Sequence, residues 1–252
     1  MIRAVVFDLD GTLVQTEKLK ALSYARAAVE LCPREITDEQ VIDAFKEVVG
    51  RPRREVAQAL VERFDLEPKS RERMVEFGVS SPWQVLVQVR LGHYDAMVAD
   101  ADVLRRNQWP HNRALLEEAR RARCQTALAS MSRRDQVRRV LDALELGQSF
   151  QFVATREDVA KGKPDPEIYL LVAHELGVPS GECLVIEDSP SGVQAAIAAG
   201  ANVVAVATPF TLTGLRALEE LDPRWLVEDP ETLPAVVRQR IAVHERIAHS
   251  TQ

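Results

Sequence analysis

The chain has 252 residues, 46% hydrophobic and 28% charged, with a formal net charge of −6. Such a composition suits a globular protein with room for one large domain, or for one domain carrying an insertion. The acidic balance argues against a general nucleic-acid binder, no apolar run reaches bilayer length, and Asp8 and Asp10 interrupt the first apolar stretch before it can read as a secretory leader.

The first predicted element is the apolar run Ala4–Phe7, a short buried strand. It leads into Asp8-Leu9-Asp10, and residues i and i+2 of an extended chain project to one face, so two carboxylates converge at a strand tip. Gly11 lets the backbone turn sharply after them. From 16 to 92 the pattern is helical. Leu19, Leu22, Ala25 and Val29 form one apolar stripe, Val41, Phe45 and Val48 a second, and Val56, Leu60 and Phe64 a third. Helices gathered between the first and second strands predict an inserted domain that acts as a lid near the strand tips.

Alternation of strand and helix then resumes. Thr126–Ala129, Phe152–Ala154, Leu184–Ile186 and Val203–Val206 read as strands. Val137, Val140, Leu141 and Leu144 mark one helix, and Ile168, Leu171, Val172 and Leu176 mark another, stopped by Gly177. Val193, Ala196, Ile197 and Gly200 mark a third, with small residues suited to close packing on a sheet. The predicted fold is α/β: a Rossmann-like, doubly wound, mostly parallel sheet with an inserted α-helical cap. The core is expected over 1–15 and 93–252 and the cap over 16–92.

Three further segments carry chemistry toward the same strand tips. Leu128-Ala129-Ser130-Met131-Ser132 sets hydroxyls at the end of the second strand. Lys161-Gly162-Lys163-Pro164-Asp165-Pro166 sets a lysine just before a helix, and Ile186-Glu187-Asp188-Ser189 ends a strand in two adjacent acids. Simpler readings exist for each: Asp8 and Asp10 as a turn, Ser130 or Ser132 as a helix cap, Lys163 as a solvated loop residue. Four motifs in one order outweigh them. Cys32, Cys124 and Cys183 are expected as reduced thiols of a cytoplasmic protein, and the five histidines lack zinc-ligand spacing.

Together these segments resemble the haloacid dehalogenase superfamily, in the helical-cap branch that contains β-phosphoglucomutase and sugar-phosphate phosphatases. The resemblance implies Asp8 as nucleophile, Asp10 as general acid and base, Ser130 as a donor to the transferring phosphoryl group, and Lys163 as its counter-charge. It implies a magnesium ion held by Asp8, the Asp10 backbone carbonyl and Asp188, with Glu187 in or next to that shell. The charge count agrees, because four carboxylates against one lysine would repel a phosphate dianion without a divalent cation. Oxygen-only ligands favour Mg2+ over zinc. Asp10 favours phosphoester chemistry over dehalogenation, since an alkoxide leaving group takes up a proton and a halide does not.

Substrate contacts are expected from Arg53, in the basic stretch Gly50-Arg51-Pro52-Arg53-Arg54, and from Ser132, Arg133 and Lys20. Arg53 could equally start a solvated helix; a guanidinium fork suits phosphate or carboxylate. The chain departs from the family pattern at Gln15, Lys20 and Met131, and in Trp109-Pro110-His111-Asn112, where Asn112 is expected to hold a left-handed turn. Lys20 replaces a histidine linked to the mutase cycle. The expected function is a magnesium-dependent phosphatase acting on a small phosphorylated metabolite such as a sugar phosphate, through an aspartyl-phosphate. The alternatives are a β-phosphoglucomutase-like phosphosugar mutase and a non-catalytic metabolite-binding protein. A monomer or weak homodimer is expected, with no nucleic-acid or membrane partner.

Overall fold

The computed structural model describes residues 1–32, 34–49 and 52–250. They fall into two compact units, one of residues 1–15 and 104–252 and one of residues 16–103. In the first unit, β1 (Ala4–Phe7), β2 (Gln125–Ala129), β3 (Phe152–Ala154), β4 (Cys183–Glu187), β5 (Asn202–Val206) and β6 (Leu226–Val227) form one sheet. Its order is β3-β2-β1-β4-β5-β6, and every pairing is parallel. The chain winds outward from β1 in one direction, returns, and winds outward in the other. The carboxyl ends of β1 and β4 therefore meet where the winding reverses, the place where open α/β sheets leave a crevice. The five predicted strands are present within one residue at each end. The sixth, β6, is two residues long between Pro223 and Pro230 and carries no periodic signal.

The second unit is helical: α1 (Thr16–Leu31), α2 (Asp38–Lys46), α3 (Arg53–Arg63), α4 (Glu67–Phe77), α5 (Pro82–Ala99) and the start of α6 (Ala101–Arg106). A capping box opens α2, where Thr37 and Gln40 exchange side-chain to backbone hydrogen bonds at 3.3 and 3.0 Å. The stripe expected along α1 is only partly right. Leu19 and Ala25 are buried, but Val29 is 41% exposed, and Tyr24, Ala27, Ala28 and Leu31 are buried instead. The reason is that α1 packs against both α2 and α5, so its covered surface is wider than one stripe. The expected boundary after residue 92 falls inside α5. Gly92 sits in mid-helix without ending it, and the compact unit runs on to Val103. Gly50 and Arg51 of the basic stretch lie outside the described residues.

The remaining helices are α7 (Pro110–Arg121), α8 (Arg134–Ala143), α9 (Glu167–Glu175), α10 (Pro190–Ala198), α11 (Leu212–Arg216) and α12 (Leu233–Ser250). Ala4 and Val6 of β1 join Ile168, Val172, Val193 and Trp225 in one apolar cluster. Val5 and Phe7, which project to the opposite face, are buried as well. Burial of both faces is why the strands read as continuous apolar runs rather than as alternating ones. Among the described residues, no helix is long and apolar enough to cross a membrane.

The chain leaves the first unit after Gln15 and re-enters beside the same point. Val14 pairs antiparallel with Gln108, the Gln15 amide donates to the Asn107 carbonyl at 2.8 Å, and the Trp109 amide donates to the Leu13 carbonyl at 2.9 Å.

Candidate active site

The tip of β1 is fixed by its neighbours. The Asp8 amide donates to the Ile186 carbonyl of β4 at 3.0 Å, and the Ser130 amide donates to the Ala154 carbonyl of β3 at 3.0 Å. Parallel register thus brings Asp8, Ser130 and Glu187 to one edge of the sheet. Gly11, with φ +89°, turns the chain directly over Asp188, and a Cβ there would lie 2.0 Å from Asp188 Oδ2. No other residue type fits that approach.

Lys163 is the hub. Its side chain is 5% exposed, and its ammonium donates to Asp8 Oδ1 at 2.7 Å, Glu187 Oε1 at 2.5 Å and the Ala129 carbonyl at 3.1 Å. Three donors meet three acceptors, so the reading of Lys163 as a solvated loop residue is overturned. Glu187, fully buried, accepts on Oε2 from the Ser189 amide at 2.8 Å and the Ser189 hydroxyl at 3.0 Å. The Ser189 hydroxyl also accepts from the Gly192 amide at 3.1 Å, capping α10. Gly192 leaves room for the acid, since a Cβ there would lie 1.7 Å from Glu187 Oε1.

Asp8 and Asp10 have separate partners. Asp10 Oδ2 accepts from the Ser132 hydroxyl at 2.5 Å and the Ser130 hydroxyl at 3.2 Å, and the Ser130 hydroxyl accepts from the Ser132 amide at 3.0 Å. Both serines therefore touch the second acid, and neither caps α8, whose first residue follows Arg133. Burial pushes the Asp8 carboxyl up to about 8, opposed by the Lys163 ammonium and reinforced by Glu187 and Asp10.

The acids could hold a metal. Ligand atoms of Asp8, Glu187 and Asp188 lie within 4.8 Å of one another, all three residues buried. The donor set is all oxygen, and the Gly11 backbone closes directly on Asp188, so a hard divalent cation fits the residues present. Glu187 is the weakest candidate ligand, since both of its oxygens already accept from protein donors.

The remaining expected residues have local partners or face solvent. Arg133 is exposed, its Nε 3.2 Å from Asp135. In the helical unit, Lys20 pairs with Glu17 at 2.7 Å and Arg53 is exposed at the start of α3. Met131 meets the backbone of the lysine loop: a Cβ on Gly162 would lie 2.8 Å from its Cε.

Thr12 and Tyr169 also contribute, and Asn112 takes a role other than the expected one. Thr12 is buried, with its hydroxyl 3.4 Å from Asp188 Oδ1. Tyr169 lies in the first turn of α9, six residues past Lys163, and its hydroxyl donates to Glu187 Oε1 at 3.1 Å. Asn112 does not hold a left-handed turn; it is the third residue of α7, where Pro110 at the helix start has already set the direction. Its buried amide donates to the Thr12 carbonyl at 2.5 Å. Asn112→Ala is expected to lower unfolding free energy by about 1–3 kcal/mol, the cost of a buried carbonyl left unpaired. Urea titration measures this, and parental stability would mean that another donor reaches Thr12.

The winding of the sheet and the acids at its carboxyl edge define the class, an α/β enzyme of the doubly wound kind. More narrowly, the chain belongs to the haloacid dehalogenase-like hydrolases, whose family model matches residues 2–200. It is 31% identical over 232 residues to a phosphorylated carbohydrates phosphatase of Thermotoga maritima, covering 92% of this chain and 97% of that one. A hydrolase of this family from Deinococcus radiodurans, solved with bound phosphate and sodium, is similar in fold, with a TM-score of 0.72, 24% identity and coverage of 95% and 96%. The β-phosphoglucomutase of Clostridium difficile matches with a TM-score of 0.59 and 20% identity, covering 96% of this chain and all of that one. The chain is a hydrolase with the fold of the cap-containing branch.

Proposed function

We propose that the protein is a magnesium-dependent phosphatase of a small phosphorylated metabolite, a sugar phosphate above all. The observation that carries this is the Lys163 ammonium shared between Asp8 and Glu187 beside Asp188, a site with one positive group and room for another. The phosphatase from Thermotoga maritima supports the carbohydrate class.

In this reading Lys163 occupies Asp8 Oδ1, which leaves Oδ2 to attack phosphorus. The P–O bond to the leaving group breaks as the Asp8–phosphorus bond forms, and Asp10 gives its proton to the departing oxygen. Asp10 then takes a proton from water, which attacks the same phosphorus and frees Asp8. Ser130 and Ser132 hold Asp10 Oδ2 in both protonation states, because a hydroxyl accepts as well as donates. Asp8, Asp188 and the Asp10 carbonyl would hold Mg2+, which offsets phosphoryl charge when bound. Substrate recognition by Arg53, Lys20, Ser132 and Arg133 stays part of this proposal.

The test is phosphate release from a panel of small phosphoesters with added Mg2+. Turnover no higher than that of an Asp8→Asn control would refute the reading. Single-turnover fate separates it from the mutase alternative: free phosphate supports hydrolysis, and an isomerised sugar phosphate supports the mutase. Mg2+ alone is expected to raise the melting temperature of the metal-free protein, and Asp188→Asn to remove most of that rise. An equal rise in both proteins would place the ion elsewhere.

A further inference from the structure

The reaction above uses Asp8, Asp10, Lys163 and Asp188. It assigns nothing to Tyr169, which is 3% exposed and lies against two charged groups of the site. Its hydroxyl donates to Glu187 Oε1 at 3.1 Å, and its ring centroid is 5.1 Å from Lys163 Nζ. The backbone holds it in place: the Tyr169 amide donates to the Pro166 carbonyl at 3.0 Å, in the first turn of α9.

An ionised carboxylate has room for about four donors, two on each oxygen. Glu187 has all four. Lys163 and Tyr169 donate to Oε1, and the Ser189 amide and hydroxyl donate to Oε2. A carboxylate so enclosed has neither a lone pair to spare nor freedom to rotate. The ring, meanwhile, covers one side of the ammonium with its negative face. A phenylalanine would supply that cover and fill the same volume, but it would leave Glu187 one donor short.

We propose that Tyr169 is a positioning residue for Lys163: its hydroxyl completes the hydrogen bonds of Glu187, turning that acid to the lysine and away from the metal, and its ring screens the ammonium from water. This rests on the phosphatase reading for its effect on rate, but not for its effect on the lysine. Glu187 then serves the lysine and is no metal ligand. The metal is left to Asp8, Asp188 and the Asp10 carbonyl.

Tyr169→Phe and Tyr169→Leu test this with two readouts. The first is steady-state hydrolysis of a phosphoester with saturating Mg2+. In Tyr169→Phe, kcat is expected to fall about tenfold, as for other residues that orient a ligand or acid from behind. KM should stay within about twofold, because a residue 3% exposed offers a substrate almost no surface. The second readout uses no substrate. In 15N-labelled protein a buried ammonium with three acceptors exchanges slowly with water and gives a 1H–15N signal, while exposed lysines exchange too fast to appear. That signal should shift in Tyr169→Phe, where the ring remains, and vanish in Tyr169→Leu. An unshifted ammonium signal or an unchanged kcat in Tyr169→Phe overturns the proposal. If the parent protein hydrolyses no phosphoester, the phosphatase reading fails and the ammonium signal alone decides the role of Tyr169.

Discussion

Asp8→Asn should abolish turnover and leave a folded protein more stable than its parent. An amide has no charge with which to attack phosphorus, and removing a nucleophile from a site that acts as a unit costs on the order of 10⁴-fold or more in kcat. The gain in stability has a different origin. Asp8 is buried beside Glu187 and Asp188, and burial, reinforced by Glu187 and Asp10 and only partly offset by the Lys163 ammonium, pushes its carboxyl up to about 8. Folding without a metal therefore works against its charge. Asparagine keeps the shape, removes one of three crowded carboxyl groups, and leaves Lys163 paired with Glu187 at 2.5 Å. Phosphate release and urea unfolding, both without and with Mg2+, check the two halves. Residual turnover near the parental rate would exclude Asp8 as nucleophile. A loss of stability would mean that the 2.7 Å bond to Lys163 outweighs the crowding of the acids.

Lys163→Met is expected to have the opposite effect on stability and a similar effect on rate. The lysine is the buried cation among Asp8, Glu187 and Asp188, with a side chain 5% exposed. Methionine fills much of the same space and carries no charge. Glu187, which has no exposure at all, would lose its counter-ion while remaining locked by Ser189. Breaking a buried pair by removing one partner costs about 3–5 kcal/mol, because the remaining charge is stranded. Denaturant unfolding should record a loss of that size. Parental stability would mean that Glu187 takes up a proton at little cost. Asp8→Asn and Lys163→Met thus act on one hydrogen bond from its two ends, yet shift the unfolding midpoint in opposite directions.

Much of this site can be read from spacing alone. Asp8 and Asp10, Ser130 and Ser132, Lys163, and Glu187-Asp188 each sit at the end of an apolar run or before a helix. In a parallel sheet those ends share an edge. What spacing cannot tell is who pairs with whom. The sequence makes Asp8 and Asp10 look alike, yet one meets an ammonium and the other two hydroxyls. The same limit explains Tyr169, whose side chain reads as one more buried position on the helix after Lys163. Its hydroxyl gains meaning only once β4 is seen to end beside it. Asn112 was noticed for its unusual place in a turn, but its use is a contact with Thr12, 100 residues away in sequence. In the helical unit, the α1 stripe failed because a helix covered from two sides no longer shows one narrow face.

The lacing of residues 13–15 to 107–109 bears on what the fold can tolerate. Because the two ends of the insertion are fastened to each other, the sheet does not register how much chain lies between them. Closing a loop ten times longer costs about 2 kcal/mol in entropy, since the penalty grows only with the logarithm of length. Residues 16–103 can therefore lengthen, shorten or be exchanged for other helices with little change in the stability of the sheet that carries the acids. The helical unit is thus free to diverge while the cluster of Asp8, Glu187 and Asp188 stays as it is.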